Sequence, residues 1–327
     1  MAVNEGYCTR AFIVAEVAHV DAVRRAVIKQ AQALGFDEDA LGRLTIVVQE
    51  MARNLVNHAE HGEILVNHDE RSLDVMAMDR GPGMANVSQC MADSYSSKGT
   101  MGAGLGAIRR LSDVFDIYSQ LGQGTLLLAR FLLAAEPATV LVSSALCLPH
   151  PKEESCGDAW AVRDNRVMLC DGLGHGPQAN EASWRARQLF LDHDPRMNLI
   201  ELMERSHQAL LSTRGGALAF AEVDVAQGQV TFCGVGNIAG TLHAEQARGM
   251  VSSNGTVGYK VGRIQTFSYP WDEHSLLIMS SDGITTKSSL NAYPGLRARH
   301  PALVAGAIMR DFRRLNDDAT VVVLRHA

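Results

Sequence analysis

Asp171-Gly172-Leu173-Gly174-His175-Gly176 comes directly after the apolar run Val167–Cys170. The run reads as a buried strand, and the string after it reads as a carboxylate held at a strand end beside backbone free to approach a ligand closely. Other acidic residues repeat the arrangement: Gly157-Asp158, Asp282-Gly283 and Asp317-Asp318. Asp171, Asp282 and Asp317 each follow or border an apolar strand, so each can project from a sheet rim into one site. Carboxylates that share a site repel one another, and divalent cations relieve the repulsion. Oxygen ligands select Mg²⁺ or Mn²⁺, and two such ions about 3.5–4 Å apart can activate water for attack on phosphorus. On spacing alone, four unrelated Asp-containing turns would read the same way.

The strings themselves are more specific. Asp171-Gly-Leu-Gly-His175-Gly176, Gly234-Val-Gly236-Asn237, Ser281-Asp282-Gly283 and Asp317-Asp318-Ala-Thr320 occur in this order. Together they resemble the SpoIIE-type branch of the PPM serine/threonine phosphatases, over residues 140–327. The resemblance implies an α-β-β-α sandwich and a two-metal site holding two Mn²⁺ or Mg²⁺. In that site Asp171 bridges both metals and holds the attacking hydroxide, and the Gly172 carbonyl binds one metal. Asp282 and Asp317 bind the second, and Asp158 sits near the first. Asp318 stands where many of these enzymes have Asn, so the choice between Asp317 and Asp318 stays open. His175 has two readings, a general acid near the metals or a shaper of the turn into the next helix. No arginine matches the family's phosphate-binding position, which leaves substrate anchoring open.

The second half alternates strand-like blocks (Val140–Leu148, Val167–Cys170, Leu218–Asp224, Gln229–Cys233, Ser275–Ser280, Ala319–Leu324) with helical ones near 178–192, 198–212 and 301–314. Such a mixture points to sheet packed on sheet with flanking helices. The first half opens with helical periodicity over 19–34 and 39–58, separated by Gly35. Strands Ile64–Asn67 and Leu73–Met78 follow, then a Gly- and Ser-rich loop over 94–104, a helix over Leu105–Leu111, and strands Val114–Ser119 and Thr125–Leu132. A short stretch containing Pro137 is the candidate linker. The expected division is residues 1–135, a linker at 136–139, and residues 140–327.

Three patterns in the first half concern phosphate chemistry. Glu50 and Asn54 lie one helical turn apart and share a face. An amide oxygen there can join Mg²⁺, and a carboxylate can take a proton from an attacking hydroxyl. Asp79-Arg-Gly81-Pro-Gly83 follows an apolar strand, as a carboxylate contacting an adenine amine would require; taken alone, it is also a plain Asp-Gly turn. Lys98-Gly99-Thr-Met-Gly102-Ala-Gly104-Leu-Gly106 opens onto a helix, where glycine backbone and a helix N-terminus favour phosphate. A dinucleotide-fold reading of these glycines fails, because Ser94-Tyr-Ser-Ser-Lys98 rather than a strand precedes them.

In order and spacing the three patterns resemble the GHKL (Bergerat) ATPases over roughly residues 10–133. The nearest likeness is to bacterial anti-sigma-factor serine kinases of the stressosome switch type. The resemblance implies an α/β sandwich with a mixed sheet covered by helices, and ATP with Mg²⁺ as cofactor. It places Asn54 on Mg²⁺, Glu50 as catalytic base, Asp79 on adenine, and residues 98–106 as a short lid over the nucleotide. Lys98 or Arg109 is the candidate for the phosphates. The implied substrate is a serine on a STAS-domain antagonist protein.

Composition sets the outer limits. Of 327 residues, 46% are hydrophobic and 20% charged, enough apolar material for two cores and too much for disorder. Thirty Lys and Arg against 36 Asp and Glu leave a formal charge of −6 without a basic run, which argues against a nucleic-acid partner. No apolar stretch suits a bilayer and no secretory leader is evident, so a cytoplasmic protein is expected. The six cysteines form no C-x-x-C pair, indicating neither a zinc site nor a disulfide framework. The expected function is partner switching, with a STAS protein as substrate and a sigma factor or stressosome-like component as further partner. A homodimer is compatible with the sequence. Two alternatives are a phosphatase gated by an ATP-sensing first half, and a first half that only sequesters a sigma factor or antagonist.

Overall fold

The computed structural model describes residues 8–69, 71–91, 104–134, 139–285 and 289–327. The chain divides into two compact units. One comprises Thr9–Pro137 with Leu290–Arg310; the other comprises Met1–Cys8, Ala138–Ser289 and Asp311–Ala327.

The first unit is built on strands β1 (Arg10–Ile13), β2 (Glu63–His68), β3 (Ser72–Met78), β4 (Val114–Ser119) and β5 (Thr125–Leu132), in the order β1-β2-β3-β5-β4. All four pairings are antiparallel. This corrects the mixed sheet expected. β2–β3 and β4–β5 are hairpins, and β5 returns alongside β3 in the opposite direction. β1 was not foreseen, being a four-residue edge strand whose side chains are mostly exposed.

Helices α1 (Val17–Leu34) and α2 (Glu38–His58) cover one face of the sheet. Val20, Val23, Val27 and Ala31 form the buried stripe of α1, which stops at Gly35 with φ of 91°. Asp37 caps α2 by accepting the Ala40 N–H at 2.8 Å. Leu44, Val47, Val48, Met51 and Leu55 of α2 pack against Ile64, Val66, Val75, Leu127, Ala129 and Phe131. Each such large side chain contributes roughly 1.5–3 kcal/mol by burial. Short helix α3 (Val87–Cys90) and α4 (Gly104–Leu111) complete this layer of sequence.

β3 is buried at every position, so its other face is covered as well. The segment 290–310 supplies cover: a Cβ on Gly306 would lie 2.7 Å from Met76 Sδ and 3.5 Å from Leu126 Cδ2. Asp116 of β4 accepts the His300 N–H at 2.7 Å and the Arg299 guanidinium at 3.2 Å. On the same face as Met76, Asp74 and Arg130 form a buried bidentate pair at 2.6 and 2.9 Å.

The second unit holds two facing sheets. One runs β13 (Ser252–Ser253), β10 (Gln229–Val235), β9 (Gly216–Asp224), β8 (Arg166–Gly172), β7 (Asp158–Arg163), with β16 (Phe267–Pro270) also on β10. The other runs β12 (Ala247–Met250), β11 (Ala239–His243), β17 (Leu276–Ser280), β18 (Ala319–His326), β6 (Leu141–Leu148). A small hairpin pairs β14 (Gly255–Thr256) with β15 (Lys260–Val261). The period of two along β8 explains the layering. Val167 and Leu169 enter the core between the sheets with Phe232, Leu277, Met279, Val322 and Leu324. Met168 and Cys170 face the opposite way, onto Ala186 and Phe190 of α5 (Pro177–Asp192) and Leu202 and Met203 of α6 (Leu199–Leu210). Asn198 and Glu201 form a capping box at the start of α6. Helix α7 (Pro301–Phe312), which belongs to the first unit through Arg310, is buried from Pro301 to Met309. It ends two residues before the expected limit, where Arg313 bridges to Ile284.

Breaking the Asp74–Arg130 pair from one side strands a charge among apolar groups. Arg130→Leu should therefore destabilise the first unit by about 3–5 kcal/mol in urea unfolding, and Asp74→Leu added to it should recover much of that loss.

Candidate functional site

The two sheets of the second unit bring their acidic ends to one rim. β7 begins on Asp158 and β8 ends on Asp171 and Gly172, and their antiparallel register sets Asp158 opposite Asp171. From the other sheet, Asp282 leaves β17 while Asp317 and Asp318 lead into β18. The Ser281 N–H bonds the Thr320 carbonyl at 3.1 Å and holds these two ends side by side. Gly283 fits there only because it lacks a side chain, since a Cβ would sit 1.8 Å from the Asp318 carbonyl oxygen.

Neutral donors orient the carboxylates. The Ser281 hydroxyl donates to Asp158 Oδ2 at 2.6 Å and accepts the Thr320 N–H at 2.9 Å. Asn237 Nδ2 donates to Asp282 Oδ2 at 2.8 Å, and the His150 N–H to Asp318 Oδ1 at 2.8 Å. Burial pushes the Asp171 carboxyl up to about 9, reinforced by the charges of Asp158, Asp282, Asp317 and Asp318. Burial raises Asp158 to about 7, against the hydrogen bond from Ser281 and with the repulsion of Asp318 and Asp282. Asp317 and Asp318 are also raised, chiefly by burial. Asp158 Oδ1 and Asp318 Oδ2 are buried and accept no hydrogen bond of good geometry. Oxygen-only donors, mutual repulsion and buried acceptors without well-placed donors suit hard divalent cations.

His175 lies in the turn leading to α5. Its Nδ1 is 2.8 Å from Glu153 Oε1 and its ring stacks on His150 at 4.7 Å. Sequence reasoning assigned nothing to Ser281, Asn237, His150 or Glu153, although the first two stand inside the quoted strings. Arg214 was also missed. Its Nη1 would lie 3.1 Å from a Cβ on Gly174, so an exposed guanidinium stands beside the glycine-rich turn. Nothing in the sequence distinguishes it from other surface arginines.

In the first unit, Glu50 and Asn54 lie half-buried on α2, one turn apart. α4 opens against them: a Cβ on Gly104 would be 3.0 Å from Glu50 Oε2 and 3.8 Å from Asn54 Oδ1. Arg53 Nη1 approaches Glu50 Oε1 at 3.3 Å. Asp79 follows β3, and its Oδ1 accepts the Gly81 N–H at 2.7 Å. Burial raises its carboxyl, while Arg310 acts in the other direction; Arg310 Nη1 also donates to the Asp79 carbonyl at 2.8 Å. Gly81 packs on the end of α2, at His58 and Ala59. Gly83 has φ of 67°, and a Cβ there would meet the Gln120 carbonyl oxygen at 2.1 Å. Gly106 is buried in α4 and Arg109 is exposed. Lys98 and Gly102 lie outside the described residues.

Residues 163–327 match the stage II sporulation protein E (SpoIIE) family, and residues 13–131 match the histidine kinase-like ATPase domain. The chain belongs to the SpoIIE family. The serine/threonine-protein kinase RsbT of Bacillus subtilis (strain 168) is 32% identical over 126 residues, 37% of this chain and 92% of RsbT. The phosphoserine phosphatase RsbX of the same organism is 27% identical over 135 residues, 39% of this chain and 67% of RsbX. A solved structure from a study of the bacterial stressosome as a modular system superposes with a TM-score of 0.51 at 28% identity, covering 57% of this chain and 99% of its own. RsbX crystallised with magnesium gives 0.50 at 20% identity over 59% and 98%, a likeness of fold. The chain thus joins a kinase-like ATPase domain to a PPM-type serine/threonine phosphatase domain, and both halves have homologues among partner-switching regulators. Among the described residues, no helix is long and apolar enough to cross a membrane.

The raised carboxyls make a signed prediction. An unfolded Asp titrates near about 4, whereas Asp158 and Asp171 titrate near 7 and 9 when folded. Between these limits the metal-free native chain holds more protons than the unfolded one, so its stability falls as pH rises, by about 1.4 kcal/mol per pH unit per proton. Thermal melts of chelator-treated protein should show that fall across the window, and saturating Mn²⁺ should flatten it. A pH-independent melting temperature without metal would contradict the shared site.

Proposed function

We propose that this protein is a cytoplasmic partner-switching enzyme with two opposed activities. Residues 140–327 remove phosphate from phosphoserine or phosphothreonine on a STAS-domain antagonist of an anti-sigma factor. Residues 1–135 transfer phosphate from ATP to a serine on such a protein. The observation that carries the first activity is the meeting of Asp158, Asp171, Asp282, Asp317 and Asp318, drawn from both sheets of one unit, with buried acceptor oxygens left over.

In the phosphatase site, Asp171 and the Gly172 carbonyl, with Asp282, Asp317 and Asp158, would hold two Mg²⁺ or Mn²⁺ ions. When bound, the ions supply the positive charge that draws in phosphate oxygens and acidifies water. Ser281 and Asn237 keep Asp158 and Asp282 in fixed rotamers, so the carboxylates are already placed. Each of the adjacent acids has one oxygen engaged, Asp317 Oδ1 by the Asp318 N–H at 3.0 Å and Asp318 Oδ1 by the His150 N–H at 2.8 Å, and Asp317 is the more exposed of the two. Arg214, beside Gly174, supplies a cation where substrate anchoring was left open.

In the kinase site, Asn54 would offer an amide oxygen to the Mg²⁺ of Mg-ATP and Asp79 would accept from adenine. Glu50 takes the proton from the attacking serine hydroxyl. Gly104 opening against Glu50 and Asn54 supports this reading, because it brings the glycine-rich helix start to the same place.

The two heads separate by mutation. Asp282→Ala should abolish Mn²⁺-dependent hydrolysis of a phosphorylated STAS protein while leaving ATP binding intact; full activity would sink the two-metal assignment. Glu50→Ala should slow transfer of labelled phosphate from ATP to serine by about 10²–10⁴-fold with hydrolysis unchanged. If the parent chain labels no serine on any STAS protein yet ATP alters its hydrolysis rate, the first head is a sensor rather than a kinase.

A further inference from the structure

The cysteines, which carry no motif in the sequence, converge in the structure. The sulfurs of Cys8, Cys147 and Cys156 all lie within 4.8 Å of one another, and those of Cys147 and Cys156 are 3.4 Å apart. Cys147 lies on β6 and Cys156 in the turn before β7, both buried, while Cys8 precedes β1 and is partly exposed. No disulfide joins them.

We propose that Cys8, Cys147 and Cys156 form a thiolate site for one Zn²⁺ ion, separate in chemistry from the carboxylate rim. At a Zn–S distance of about 2.3 Å, tetrahedral geometry places ligand sulfurs about 3.8 Å apart. The Cys147–Cys156 pair at 3.4 Å and the 4.8 Å limit on all three separations are close to that spacing, so one ion reaches all three sulfurs with small movements. A disulfide would use only two of them and would need the pair to close to about 2.05 Å. Among the described residues no fourth His, Cys, Asp or Glu joins the group. The partly exposed Cys8 gives the ion a route in.

Two neighbouring sites of opposite hardness sort their metals. Carboxylates and carbonyls take Mg²⁺ or Mn²⁺, and thiolates take zinc. The location gives the zinc something to hold. Cys156 lies two residues before Asp158, and Cys147 Sγ is 3.9 Å from the Asp158 carbonyl oxygen. An ion on the three sulfurs would pin the turn that delivers Asp158 to the rim. The inference rests on the thiols alone and stands whether or not the phosphatase reading holds.

The test uses the full chain, reduced and stripped of metal, then given Zn²⁺ in the presence of a large excess of Mg²⁺ to occupy the carboxylates. One zinc per chain should survive desalting. Cys8→Ser should bind it at least tenfold more weakly, and Cys90→Ser, outside the cluster, should bind as the parent does. Should Cys8→Ser misfold, Co²⁺ on the parent chain answers alone, since thiolate ligation gives an intense charge-transfer band in the near ultraviolet and oxygen ligation does not. Zinc fully displaced by Mg²⁺, equal zinc in a folded Cys8→Ser chain, or a Co²⁺ complex lacking the band would each overturn the proposal. So would a thiol count on the unreduced chain showing two of the six cysteines already joined as a disulfide.

Discussion

Mutual repulsion among the buried carboxylates is the constraint around which the second unit is organised. Bringing Asp158, Asp171, Asp282, Asp317 and Asp318 to one rim costs free energy that a folded chain without cations must meet by taking up protons, and Asp171 shows this most strongly. Among the described residues, no Lys or Arg forms an ion pair with these carboxylates. The surroundings use a serine hydroxyl, an amide and a backbone N–H, each of which fixes a rotamer without cancelling a charge. A salt bridge in their place would compete for the oxygens that an ion needs. Restraint by neutral donors preserves the negative potential and still sets the geometry.

The first unit works differently. Its candidate residues come from one helix, one strand end and the start of α4. They meet because α2 is held on the sheet by an apolar stripe that turns Glu50 and Asn54 away from the core. Asp79 leaves β3 where the Gly81 backbone folds back on it, so its carboxylate is partly engaged by its own turn. Here position follows from secondary-structure periodicity, whereas in the second unit it follows from the register between strands and the meeting of two sheets.

That difference decides how much was legible in the sequence. The acidic strings and the Glu50–Asn54 pair were readable because each is local. α1 and α2 were readable because their apolar residues recur at helical spacing. β7 was missed because Asp158–Arg163 is short and lies next to a turn. The expected mixed sheet came from the family resemblance alone, and nothing in the sequence could check it, since periodicity reports which face a strand buries and says nothing of its partner's direction. Ser281 and Arg214 act across 123 residues and 40 residues respectively, reaching Asp158 and Gly174, and no local pattern marks such a contact. The three sulfurs lay hidden for the same reason, with Cys8 more than a hundred positions from its neighbours.

The first unit is discontinuous, because Leu290–Arg310 completes what Thr9–Pro137 begins. Gly306 against Met76 and Leu126, and His300 against Asp116, are made by residues that leave the ribosome near the end of synthesis. Until then, the sheet built by the first two fifths of the chain has an apolar face without this cover, while the intervening residues emerge and fold. Maturation of the amino-terminal unit therefore waits on translation of nearly the whole chain, so a truncated product would carry an unfinished ATPase-like unit.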